Sequence, residues 1–239
     1  MTTVRPARPH QKLTADGRRM REVLTYSRRG ARFTPSQQRA WDAFHEAWWI
    51  PDTAVDDAGF DLDAWFGRSG PLVVEIGPGV GEATAALAAA RPETNVLAIE
   101  VWRPGVADTL GRLGAAGVSN VRLLSVDAVW SLTNLVPEGG LAGLWTFFPD
   151  PWPKKKHHKR RLVNPSFARL AATRLTPGAT WRLATDWSEY AAAMVQALDA
   201  EPLLSGGVVP RWDERPVTRF ERKGIEAGRT ITDLAYRRA

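Results

Sequence analysis

From Pro71 onward the chain alternates short, continuously apolar β-rich runs with longer helical ones, and this alternation limits the possible folds more than any other feature of the 239 residues. PLVVEI, NVLAIE, VRLLSVD, LAGLWTFF and ATWRLATD read as strands, while GEATAALAAA, PGVADTLGRLGAAG, PSFARLAATRL and SEYAAAMVQALDA read as helices. The strand runs do not alternate apolar with polar residues, so both faces of the sheet are expected to be covered. The pattern predicts an α/β fold with a doubly wound, mostly parallel sheet and right-handed crossovers. The C-terminal stretch reads as an antiparallel addition, with Gly206-Gly207 as a turn and ITDLAYRR as the last strand. Thr34-Pro35 opens a helix with Trp41, Phe44, His45 and Trp48 at helical spacing. Residues 1–33 lack apolar periodicity and are expected to be a basic, disordered arm before a single domain at 34–239.

The charge is unevenly placed. Lys and Arg number 32 against 26 Asp and Glu, and nine of the 32 fall in residues 1–32 beside only two acids. Six more lie in the run Lys154-Lys155-Lys156-His157-His158-Lys159-Arg160-Arg161. Like charges packed that tightly suit an anion, so a polyanionic partner is expected, against the alternative of a solvated face. The chain has no cysteine, which removes disulfides, thiolate metal sites and a thiolate nucleophile. The four histidines show no metal-ligand spacing, and no metal is expected. No run reaches the ~18 apolar residues of a membrane span, and the N-terminus has no apolar signal region, so the expected location is the cytoplasm.

In an open α/β sheet, ligands bind at the carboxyl ends of the strands. The first strand ends in Glu75-Ile76-Gly77-Pro78-Gly79-Val80-Gly81 and enters an Ala-rich helix. Such a turn lets backbone approach a ligand at a helix N-terminus, or is simply a tight turn. Glu82 stands where a dinucleotide fingerprint needs a small residue. An acid two residues before the first glycine repels a pyrophosphate and suits a cationic amino-acid end, which favours S-adenosylmethionine over NAD. Glu100 closes the second strand, where an acid accepts ribose hydroxyls, and Asp127 closes the third, placed for an adenine amine. The alternative for these acids is ordinary capping. The fourth strand ends in Phe147-Phe148-Pro149-Asp150-Pro151-Trp152-Pro153, where the flanking prolines display Asp150 rigidly. Trp152 offers a face for a base, and Lys154 onward offers phosphate contacts. The fifth strand ends in Ala184-Thr185-Asp186-Trp187, and spacing alone gives the later string RPVTRFERKG no role.

The strings EIGPGVG, AIEVWRPGV, SVDAVW, FFPDPWPKKKHHKRRLVNPSFARL, ATDWSEYA and RPVTRFERKG, in this order and spacing, resemble the TrmB-type tRNA (guanine-N7)-methyltransferases over roughly residues 70–238. The resemblance implies a Rossmann-like class I S-adenosylmethionine-dependent fold and methylation of N7 of guanine 46 in the variable loop of tRNA. It implies that Glu75, Gly77, Gly79, Glu100 and Asp127 bind the cofactor and that Asp150 is an active-site acid lying against it. Lys154, Asp186, Thr218, Arg219, Phe220 and Glu221 would contact the substrate, and Lys156, His157, His158, Lys159, Arg160 and Arg161 the RNA. Arg219 departs from the usual family lysine. It can replace a point charge on phosphate but not a lysine in a tight pocket. N7 of neutral guanine carries a lone pair, so no general base is required and alignment matters most. Asp150 or Asp186 either stabilises the positive charge arriving on the ring or accepts hydrogen bonds from guanine N1 and N2. The lack of cysteine agrees, since C5 methylation of pyrimidines commonly uses a thiolate. Two other readings stand beside this one. Asp150-Pro151-Trp152 loosely resembles the Asp-Pro-Pro-aromatic motif of amino-group methyltransferases, and a non-catalytic RNA-binding protein can be built on the same fold.

Overall fold

Five strands, β1 (Leu72–Ile76), β2 (Asn95–Ile99), β3 (Val121–Leu124), β4 (Leu141–Phe147) and β5 (Leu175–Thr185), run parallel. β7 (Thr232–Arg238) lies antiparallel to β5 and to the edge strand β6 (Leu204–Val209). The sheet order is β3-β2-β1-β4-β5-β7-β6, as seen in a computed structural model that describes residues 23–27 and 30–239. The chain order reverses direction between β1 and β4, which opens a crevice at their carboxyl ends.

Helices α1 (Pro35–Trp48), α3 (Glu82–Ala89) and α4 (Arg103–Ala116) belong to one face. α5 (Ala128–Leu135), α6 (Pro165–Arg174) and α7 (Ser188–Asp199) cover the other, and the short α2 (Leu62–Phe66) and α8 (Arg219–Glu226) lie in the connections. Each face has its own apolar core. Val73, Val96, Leu110, Leu113, Leu123 and Trp145 pack on one side, and Val74, Leu97, Leu144, Phe167, Trp181 and Tyr190 on the other. This two-sided burial is why the strand sequences are apolar throughout.

α1 begins where the Thr34-Pro35 signal placed it. Thr34 and Gln37 form a reciprocal capping box, and Phe44 packs so closely on α4 that a Cβ on Gly114 would lie 2.5 Å from its ring. Past α1, Ile50 N donates to Leu123 O at 2.8 Å, which shields the outer edge of β3.

One expectation is corrected. Gly206 and Gly207 do not form a turn but lie inside β6, paired with Tyr236 and Ala235. A Cβ on Gly206 would come 2.1 Å from Ala235 O, so the glycine serves close backbone approach. Of the expected arm, residues 1–22, 28 and 29 lie outside the described residues. Residues 23–27 and 30–33 lie along the body, where Phe33 meets Trp41 with ring centroids 5.6 Å apart.

Candidate active site

A cavity opens at the crevice between β1 and β4. Its walls come from Ile76, Gly77 and Gly79 after β1, from Ile99, Glu100 and Trp102 after β2, and from Phe147 to Asp150 after β4. The Glu100 carboxylate accepts Gly79 N at 2.9 Å and Trp102 N at 2.8 Å, so it fixes the glycine turn and the start of α4 together. Close packing of the same turn demands Gly105, where a Cβ would stand 2.2 Å from Gly79 O. Glu75 lines a smaller adjoining cavity with Gly77, Glu82, Phe148, Thr218 and Phe220. It is buried and accepts Thr84 Oγ1 at 2.6 Å. Burial pushes its carboxyl up to about 7, against the Thr84 hydrogen bond and with help from the nearby Glu100 charge. Asp127 sits beside the main cavity as the N-cap of α5, accepting Val129 N at 3.0 Å and Trp130 N at 3.2 Å, while Ala128 forms part of the wall.

The strand β4 leads into a loop of unusual backbone. Phe148 and Trp152 have φ of 52° and 44°, values that non-glycine residues adopt only where surrounding structure holds them. Between them Asp150 points at the cavity, and its Oδ2 accepts Ser27 N at 3.0 Å. The basic run that follows forms a 3-10 turn, Lys155–Arg160, and splits into two groups. Lys154, Lys156 and Lys159 are exposed. Arg160 instead stacks on Trp152, its guanidinium carbon 3.4 Å from the ring centroid, so one face of that indole is already covered. Arg161 is buried and donates from Nε to Pro151 O at 2.9 Å. His157 meets the edge of Trp152, and burial followed by the surrounding cations holds its ring below the usual histidine range. His158 Nε2 lies 3.4 Å from Glu189.

The string RPVTRFERKG becomes a plug beside the glycine turn. Thr218 caps α8 by accepting Glu221 N, Arg219 N donates to Glu82, and Phe220 lines both cavities. Glu221 is 1% exposed. It accepts Arg215 Nη1 at 2.6 Å and Arg211 Nε at 2.8 Å, and the fully buried Arg215 also forks onto Asp233 in β7 at 2.9 and 3.0 Å. Asp186, at the end of β5, pairs with Arg229 Nε at 2.9 Å. It does not line the two cavities that gather Glu75, Glu100, Asp150 and Phe220.

Sequence reasoning missed one wall altogether. Thr25, Tyr26 and Ser27 close the main cavity from above. Trp152 Nε1 donates to Thr25 O at 3.1 Å, Arg160 donates to Leu24 O and Tyr26 O at 2.9 Å each, and Trp102 Nε1 donates to Gly30 O at 3.0 Å. Phe147 and Phe148 were legible as strand-end aromatics, but Leu24, Thr25, Tyr26 and Ser27 make these bonds through backbone groups, which leave no side-chain signature.

A curated relative from a Nocardioides species, a tRNA (guanine-N(7)-)-methyltransferase, is 75% identical over 98% of this chain and 95% of its own length. The chain belongs to the tRNA (guanine-N7)-methyltransferase family. Within that family, a Cutibacterium acnes relative of the same name is 49% identical over 91% of this chain and 84% of its own, and a Streptomyces coelicolor relative is 43% identical over 91% and 82%. Residues 69–234 also match a family described as "Putative methyltransferase". Among solved structures, a 16S rRNA (adenine(1408)-N(1))-methyltransferase from Catenulisporales acidiphilia shares the fold, with a TM-score of 0.51 at 15% identity over 80% of this chain and 92% of that one. The strings that carried the resemblance lie at the cavity wall, on the Pro-Asp-Pro loop and on the plug that contains α8.

Proposed function

We propose that this protein transfers the methyl group of S-adenosylmethionine to N7 of a guanine in tRNA, at position 46 of the variable loop. The observation that carries the reading is the cavity at the β1–β4 crevice, where carboxylates, an apolar slot and the Pro-Asp-Pro loop meet beside exposed lysines. The residues fit the cofactor. Glu100 stands where ribose hydroxyls need an acceptor, Ile76, Ile99 and Ala128 supply apolar wall for an adenine, and Glu75 and Glu82 line the smaller cavity where an ammonium finds counter-charge. When bound, S-adenosylmethionine supplies an electrophilic sulfonium methyl.

The residues of the chain do the rest by placement. Phe148 and Phe220 flank both cavities, and the Pro-Asp-Pro loop holds a carboxylate at the mouth of the larger one. Glu75, Glu100 and Asp150 would hold the cofactor so that its methyl would be offered to the N7 lone pair of guanine, and the chain would then have to accommodate positive charge on the purine. No proton must leave first. Asp150, held on the Pro-Asp-Pro loop at the cavity, is a carboxylate suited to meet that charge and to accept guanine N–H groups. Asp186, held by Arg229, lies on the same sheet edge as a second carboxylate. Lys154, Lys156 and Lys159 extend the site toward phosphates.

Unmodified tRNA incubated with labelled S-adenosylmethionine and the protein is expected to yield 7-methylguanosine on nucleoside analysis, and mapping places it at position 46. An exocyclic methylamino product would indicate the amino-group reaction instead, and an unlabelled tRNA would leave an RNA-binding role.

A further inference from the structure

We propose that Arg161 is a positioning residue of the methyl-transfer loop and makes no contact with tRNA, an inference that rests on the function proposed above. Pro149, Pro151 and Pro153 have no amide hydrogen, so the loop that carries Asp150 cannot be tied down by N–H donation at these positions. Beside the Asp150 carboxylate and the Trp152 indole, which are held on Ser27 and Thr25, its carbonyls offer further handles, and it needs them, because Phe148 and Trp152 hold left-handed backbone on either side of Asp150. Phe148 N is anchored on Ala184 O at 2.7 Å. Arg161 Nε holds Pro151 O at 2.9 Å, on the residue that follows Asp150.

The guanidinium is itself supported from below. It lies 4.9 Å from the centroid of Tyr190, a fully buried ring on α7 whose hydroxyl accepts Val163 N at 3.0 Å. Its Nη2 stands 3.6 Å from Glu189 Oε1. With its side chain 6% exposed and a carboxylate beside it, Arg161 offers little charge to a phosphate. A buried arginine thus passes the rigidity of α7 to the loop through one carbonyl. The planar fork matters, since Nε must reach Pro151 while the guanidinium carbon stays over the Tyr190 ring, a geometry that a lysine ammonium does not reproduce.

The test compares wild type, Arg161→Met and Arg161→Lys in single-turnover methylation at saturating tRNA and S-adenosylmethionine, with tRNA affinity measured at several salt concentrations and melting temperature recorded. The expected result is a loss of rate on the order of 10²-fold for Arg161→Met, the scale of a displaced reacting geometry, with a smaller loss for Arg161→Lys. tRNA affinity and its salt dependence stay at wild-type values. A normal rate with a lowered melting temperature overturns the proposal in favour of plain stability. A salt slope shallower by roughly 0.7 to 0.9 overturns it in favour of a phosphate contact. If Arg161→Met does not fold, the rate of Arg161→Lys decides on the same criteria. Wild type that leaves tRNA unmethylated refutes the functional reading, whereas a normal variant rate beside an active wild type refutes the role of Arg161 alone.

Discussion

Glu75 is a carboxyl with an ordinary value near 4.5 that burial pushes up to about 7 in the folded protein. The sign of its pH effect follows. Between these two values the folded chain holds a proton that the unfolded chain has released, so stability is intact below about 4.5 and declines as pH rises through 7. Above 7 the accumulated cost is roughly 3 kcal/mol, from about 1.4 kcal/mol for each pKa unit. Glu75→Gln keeps an oxygen for Thr84 and removes the charge, so denaturant midpoints at pH 5 and pH 8 are expected to fall for wild type and to fall less for the variant. Equal pH dependence in the two proteins would disprove the assignment. A cofactor ammonium beside the carboxylate would favour its charged form and release the proton, so affinity for S-adenosylmethionine is expected to rise toward pH 8 in wild type only. Asp150 makes a separate case, because its environment is a loop mouth and its role is placement. Asp150→Asn is expected to keep the fold and cofactor affinity while losing most single-turnover rate, and a near-normal rate would leave Asp150 with a structural role only.

Among the elements, α8 shows how a segment without a readable role acquires one. Its sequence is mostly charged, and spacing alone does not reveal that Glu221 and Arg215 would be buried together. Only the approach of β7, which brings Asp233 to the same guanidinium, makes that burial tolerable. Cutting one member strands the other charges in a dry site, so Glu221→Ala is expected to destabilise the protein by roughly 3–5 kcal/mol. It should also loosen Phe220 over the cavities, and calorimetry with S-adenosylmethionine should then show weaker binding. Unchanged melting and unchanged affinity would together refute the role of this cluster. The parallel strands, by contrast, were legible because burial on both faces leaves an unbroken apolar run. The acids at their ends were legible because polar groups at a sheet terminus interrupt that run. Gly206-Gly207 was misread because a glycine pair that permits close strand approach has the same sequence as one that permits a turn. The burial of Arg161 was not legible, because a run of cations does not show which member turns inward.

At the scale of the whole molecule, the basic excess divides between an N-terminal stretch and the turn at 154–161, and the described part of that stretch reaches the turn. Leu24, Thr25 and Tyr26 offer carbonyls to Arg160 and Trp152, and Ser27 N reaches Asp150. These contacts run through backbone, which explains why a composition that reads as a tether also forms a cavity wall. A charge contribution from residues 1–22 and the cavity wall at residues 25–27 can be tested separately by length. Removing residues 1–22 takes away six Lys or Arg and two acids without touching the wall. That deletion is expected to weaken tRNA binding and flatten its salt dependence by roughly 0.7 to 0.9 log units per lost phosphate contact, while cofactor affinity and saturated turnover persist. Removing residues 1–29 also deletes Thr25, Tyr26 and Ser27, so it is expected to weaken S-adenosylmethionine binding and slow turnover even at saturating tRNA. The measurements are tRNA affinity at several salt concentrations and calorimetric titration of the cofactor for full chain and both truncations. Identical salt slopes for the full chain and the shorter deletion would eliminate residues 1–22 as an RNA-binding element. Unchanged cofactor affinity in the longer deletion would show that the wall over Asp150 does not contribute to the cofactor site.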